Sequence, residues 1–282
     1  MLQTANVKVH VVEAVYKDRY PECAPQCEPY SYQSVFVDSE IWLKENLINI
    51  AVKNLLPSDW KYMAWVDCDV HFRDPMWALN SMHQLQHYNI IQPWQSANDL
   101  DFYGNIMDTW TSFGSLCARG KQMHHDKTLV DQGYKYAHSG YAWACNRYFY
   151  ENVEKLADFN IVGAGDHLQA WACLNMVDRT MPKQISEGYK RACDEWQRKA
   201  FRACAGMVGF TAGRLEHHWH GKKINRKYWD RWRILIDNDY DPYTDLAYDS
   251  QGVVVLSGTN KWDIEREIMQ YNRGRQEDEI GN

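Results

Sequence analysis

A chain of 282 residues is long enough for one ample α/β domain or for two small ones. Its 45% hydrophobic and 24% charged residues are those of a folding chain rather than a disordered one, and a net charge of −6 argues against binding nucleic acid with the whole surface. No apolar run approaches the roughly 18 to 20 residues that cross a bilayer, and residues 1–6 (MLQTAN) lack the basic and apolar regions of a secretion signal, so the expectation is a soluble, cytoplasmic protein with no membrane partner.

Val7–Val15 is short and β-branched and predicts a strand buried on both faces. A turn-rich stretch follows, and Glu40–Leu56 then carries Ile41, Leu47, Ile48, Ala51 and Leu55 at helical spacing, closed by Pro57. Trp60–Val66 is a second apolar strand that runs straight into Asp67-Cys68-Asp69. A helix over Pro75–Tyr88 and a strand over Asn89–Trp94 complete an alternation that predicts an α/β fold with parallel pairing, in which ligands sit at the carboxyl ends of strands. Gln95–Phe113 reads as a loop. Beyond it come a strand at Tyr141–Asn146, helices near Arg147–Leu156, Asp166–Asn175 and Lys190–Cys204, a strand at Arg214–His220 and a helix at Arg226–Asn238. We read 1–240 as one domain and 241–282 as a C-terminal extension. The eight cysteines contain no Cys-x-x-Cys pair, which points to reduced thiols rather than a zinc module or a disulfide framework.

Three clusters carry chemistry. Asp67 and Asp69 set two like charges where a buried strand ends, an arrangement that is costly unless a hard divalent cation such as Mn²⁺ or Mg²⁺ compensates it. An exposed loop would carry Asp-x-Asp for no reason, but the strand in front of this one makes the functional reading stronger. Gly163-Ala164-Gly165-Asp166-His167 is a flexible turn that delivers a carboxylate to a helix start, where simple capping by Asp166 needs no catalysis. Glu216-His217-His218-Trp219-His220-Gly221-Lys222-Lys223 alternates, so in a strand His218 and His220 share one face. A cluster of three histidines is seldom mere core, and a hydrogen-bonded buried histidine is the alternative reading there.

Asp67-Cys68-Asp69 after a hydrophobic strand resembles the DxD motif of GT-A glycosyltransferases. More closely, KENLIN, WKYMAWVDCDV, HQLQHY, SGYAWAC and HHWHGKK resemble glycosyltransferase-like proteins of bacteriophages and other viruses. The resemblance covers roughly Val7 to Asn238 and implies a GT-A domain over 1–240: a Rossmann-like, mostly parallel sheet flanked by helices, with the first β-α unit absent or supplied differently. It implies an enzyme that moves a sugar from a nucleoside-diphosphate sugar, a UDP-sugar foremost, to an acceptor hydroxyl with inversion. Asp69 would be the direct ligand of Mn²⁺ or Mg²⁺ and Asp67 would face the ribose or a metal-bound water. His218, in a His-x-x-Gly frame, would be a metal ligand ahead of His220, and Asp166 would be the catalytic base. Glu13, Lys44, Asn46, Trp65, Gly140, Lys222 and Lys223 would lie on the donor side, with Trp143, His167 and Trp110 toward the acceptor. Lys222, Lys223 or Arg226 would answer the charge of the leaving diphosphate. The acceptor would be a glycan, a protein, or a hydroxymethylated base of viral DNA; the last would use the basic, aromatic-laced stretch 222–233 and act in a host cytoplasm.

Two other classes compete. A metal-dependent phosphohydrolase or nucleotidyltransferase would use Asp67, Asp69, His218 and His220 to activate water. A non-catalytic carbohydrate-binding module would use the 13 Trp and 18 Tyr alone and would bind normally after Asp69→Ala.

Overall fold

The apolar strands and amphipathic helices assemble into a mixed α/β molecule, seen in a computed structural model that describes residues 7–24, 27, 31–120, 123, 124, 135–227 and 230–276. Val11–Tyr16 pairs in parallel with Tyr32–Val37. Helix Lys44–Asn54 follows, and Tyr62–Val66 then becomes an outer strand of a four-stranded sheet in the order Gly209–Phe210, Ile90–Gln92, Ala142–Asn146, Tyr62–Val66. A six-stranded sheet has the order Val70–Phe72, Arg214–His217, Ser96–Leu100, Ile106–Ser112, Lys135–His138, Met123–His124.

Among the described residues the two sheets share four runs of chain. Tyr62–Val66 passes into Val70–Phe72, Ile90–Gln92 into Ser96–Leu100, Gly209–Phe210 into Arg214–His217, and Lys135–His138 into Ala142–Asn146. Asp67-Cys68-Asp69 occupies the first of these crossings. The acidic pair therefore sits at the seam between sheets.

Pairing is mixed rather than mostly parallel. Ala142–Asn146 inserts antiparallel between Tyr62–Val66 and Ile90–Gln92, so those two strands, although codirectional, never touch as a parallel pair. Gln95–Phe113, expected as a loop, contains the hairpin Ser96–Leu100 and Ile106–Ser112. Its turn is held by Asp101, whose Oδ1 accepts from the backbone N–H of Tyr103 and of Asn105. The polar letters of SANDL hid a buried strand, because Asn98 and Asp99 face inward and are 3% and 1% exposed.

One large core gathers Ile90, Phe113, Trp143, Phe149, Trp171 and Tyr189 and extends to Val253, Val254, Ile264 and Ile268 of the C-terminal stretch. Large aromatics bury 150 to 250 Å² each, so these rings dominate the apolar driving force. The C-terminal stretch forms a hairpin, Leu246–Tyr248 with Val254–Leu256, and a helix, Lys261–Gly274. A smaller cluster of Phe72, Trp77, Trp94, Ala97, Tyr141, Ala142 and Leu215 lies beneath the seam, where Phe72 stacks on Trp77 at 4.1 Å. Among the described residues no helix is long and apolar enough to cross a membrane.

Candidate functional site

At the seam, three side chains converge. His217 Nε2 lies 3.4 Å and His220 Nε2 3.3 Å from Asp69 Oδ2, and the two ring nitrogens are 2.9 Å apart. Ligand atoms about 2.1 Å from a common ion sit about 3 Å from one another, so the set fits a single cation. Asp69 Oδ1 is buried and has no hydrogen-bond partner among the described residues, which leaves a carboxylate oxygen for such an ion. Asp69, His217 and His220 could hold a metal.

This corrects the choice of histidine. Arg214–His217 is the strand, so the alternation that placed His218 and His220 on one face stops at His217. His217 is the last inward residue of that strand, at 7% exposure, and His220 comes back to Asp69 from beyond the strand's end. His218 is exposed; its N–H donates to the Asp69 carbonyl at 2.8 Å and its ring stands edge-on to His71.

The charge balance is set locally. Burial disfavours the His217 cation, but hydrogen bonds to Asp69 and Asp99 outweigh it and raise the pKa from 6.5 to about 9. Burial raises the Asp69 carboxyl, and the same histidines pull it below its ordinary value. A cation held here would take the place of the Nε2 proton of His217. Arg226, itself buried, donates from Nη2 to His220 Nε2 at 2.6 Å, a hydrogen bond that has to give way before that nitrogen's lone pair can hold an ion.

Asp67 takes another role. Its Oδ1 is ion-paired with Lys44 Nζ, and burial pushes its carboxyl up while Lys44 pulls it down. Beside Lys44, Glu45 is 8% exposed, accepts from Trp42 Nε1 at 3.1 Å, and is raised by burial to about 7. Glu45 packs on Gly165, where an added Cβ would come within 2.2 Å of Oε1 and force the carboxylate to move. Asp166 follows in the first turn of Gly165–Ala172, its Oδ1 accepting from the His167 N–H at 2.8 Å. The helix is entered through Ala164 at φ +74° and has no side-chain cap at that position. Gly140 lies beneath Asp166: a Cβ there would stand 2.9 Å from Asp166 Oδ2.

Asp67, Asp69, Asp166, His217, His220, Lys44, Trp65, Gly140, His167 and Trp110 all line one cavity of about 1780 Å³, joined by Glu45, Arg226, Arg231 and Arg275. Several expected residues lie elsewhere. Glu13 accepts from the N–H of Glu22 and Cys23 and from Tyr32 Oη, holding its own turn. Asn46 is buried and binds the C-terminal hairpin, accepting from Val254 N and donating to the Gly252 carbonyl, both at 3.1 Å. Trp143 is a core residue at 1% exposure that donates to the Ser139 carbonyl. Lys222 is exposed and outside the lining, and the side chain of Lys223 lies outside the described residues.

Fold and site together define a mixed α/β protein whose sheet seam presents a carboxylate and two imidazoles to a large cavity. No protein-family model, no curated protein and no solved structure matches this chain.

Proposed function

We propose that this chain is a metal-dependent glycosyltransferase of GT-A type that moves a sugar from a nucleoside diphosphate to an acceptor hydroxyl with inversion. The observation that carries the reading is the opening of Asp69, His217, His220 and Asp166 onto one cavity roomy enough for two substrates. Asp69, His217 and His220 would hold the ion, which when bound supplies Lewis acidity to the leaving diphosphate. Two imidazoles and one carboxylate suit Mn²⁺ better than Mg²⁺, which prefers oxygen ligands.

Asp166 accepts the proton of the acceptor hydroxyl as that oxygen bonds to the anomeric carbon and the sugar–phosphate bond breaks, a role worth typically 10²–10⁴-fold. Lys44, held by Asp67, and Arg226 supply positive charge on the donor side. A glycan acceptor is favoured over DNA. In the basic stretch that would grip DNA, Trp232 is buried and Arg226 and Arg231 face the cavity.

A thermal-shift panel of UDP-, GDP- and other nucleotide sugars with and without Mn²⁺ tests the reading, because a ligand at 100 times its Kd stabilises by about 2.7 kcal/mol. Stabilisation by one nucleotide sugar only in the presence of Mn²⁺ is the expected result; Mn²⁺ binding with no response to any donor overturns it. The three-residue ligand set also suits a hydrolase, since three protein ligands leave positions open for water. Phosphate release from a nucleotide without any acceptor would identify that second reading.

A further inference from the structure

Asp99 is the most deeply buried carboxylate beside the cluster, at 1% exposure, yet it is no member of the metal-binding set. Three groups converge on it. Its Oδ1 lies 2.7 Å from His217 Nδ1 and accepts from Tyr141 Oη at 2.6 Å, while its Oδ2 accepts from Trp110 Nε1 at 2.6 Å. Burying an ionised carboxylate is expensive unless its lone pairs are filled, and here both oxygens are engaged.

The surrounding chain is shaped to make those contacts. Asp99 belongs to Ser96–Leu100 and is in register with His217 of the neighbouring parallel strand and with Asp108 of the hairpin. Tyr141 is not glycine, yet it holds φ +77°, a conformation that costs on the order of 1 kcal/mol or more and persists only where the surroundings enforce it. That backbone turn brings the phenol to Asp99 and lays the ring flat on His138 at 4.2 Å, with the His217 ring 4.8 Å away. Strain, a buried charge and a short hydrogen bond thus meet behind one imidazole.

We propose that Asp99 is a positioning residue for the metal centre: by taking the Nδ1 proton of His217 as a hydrogen bond, and being held itself by Tyr141 and Trp110, it fixes the tautomer in which Nε2 faces Asp69 and His220. The inference rests on the reading of Asp69, His217 and His220 as metal ligands. Its physical content is that the hydrogen bond orients the ring and makes Nε2 a better donor, and removal of such a partner typically weakens metal affinity 10- to 100-fold. Asp99 touches neither donor nor acceptor in this scheme.

The test is Mn²⁺ affinity measured by electron paramagnetic resonance on the full chain, for wild type, Asp99→Asn and Asp99→Ala, with melting temperature in EDTA recorded alongside. The expected result is a Kd raised roughly 10- to 100-fold in Asp99→Asn. In ¹⁵N spectra of the Zn²⁺-loaded wild type the Nδ1–H signal of His217 should be present, and it should shift in the variant. Unchanged Mn²⁺ affinity with a lowered melting temperature would make Asp99 a packing residue and overturn the proposal. A wild type that binds no Mn²⁺ overturns both the metal reading and this one, whereas a wild type that binds and an Asp99→Asn that binds equally well overturns this one alone. Should both Asp99 variants fail to fold, Tyr141→Phe and Trp110→Phe each remove one restraint while keeping the carboxylate. A several-fold weaker Mn²⁺ site in either supports the proposal, and wild-type affinity in both overturns it.

Discussion

His217 Nε2 faces Asp69 Oδ2 across 3.4 Å, whereas His218, its neighbour in the chain, sets its ring against His71. One backbone step separates an imidazole that faces Asp69 from an exposed one. His217→Ala is therefore expected to weaken Mn²⁺ binding by at least ~100-fold, while His218→Ala leaves it within about threefold. Titration calorimetry with Mn²⁺ on both variants distinguishes them, and a larger loss in His218→Ala would reverse the assignment.

Asp166 enters the cavity from the first turn of its helix without capping it. Asp166→Asn should bind Mn²⁺ and the nucleotide sugar as wild type does and lose transfer by about 10²–10⁴-fold. Transfer rates at saturating donor, read beside donor Kd, check this; retained transfer would leave Asp166 a first-turn acid and nothing more.

Glu45 carries a pH signature. Its folded pKa of about 7 lies above the unfolded value near 4.5, so the native state binds the extra proton between those limits. The stability that this proton contributes is complete below about pH 4.5 and is lost as pH rises to about 7. Glu45→Gln removes that loss, so the variant's stability relative to wild type should climb by a few kcal/mol across the same window. Urea titrations at pH 5 and pH 7.5 measure it, and a pH-independent difference would count against the burial argument.

Much of this was legible in the sequence, and the misses have physical causes. Tyr62–Val66, Lys44–Asn54, Gly165–Ala172 and Ala142–Asn146 follow from periodicity, because their apolar faces meet the core. Asp69, Asp166 and His220, singled out by their motifs, line the cavity. Asp99 and Glu45 were not visible, since burial of an acid leaves no trace in composition and both sit in otherwise ordinary stretches. The histidine choice failed because period-two logic was carried three residues past the end of a strand, a boundary the letters do not mark.

Asn46 illustrates the same difficulty, an apparently polar surface position turned inward. Asn46→Ala leaves Val254 N and the Gly252 carbonyl without their partner and should cost about 1–3 kcal/mol. A lowered melting temperature with unaltered Mn²⁺ affinity is the expected outcome; normal stability with impaired donor binding would restore Asn46 to the donor side.

The seam has a mechanical consequence. Asp69 lies early in the chain and His217 and His220 late, on runs that pass from one sheet to the other. A single cation held by all three would act as a cross-link, closing a very long loop and so restricting the unfolded chain as well as favouring the folded one. Chelation would then loosen the molecule first where its two sheets meet, and hydrogen exchange at Val70–Phe72 and Arg214–His217 would quicken ahead of the helical core.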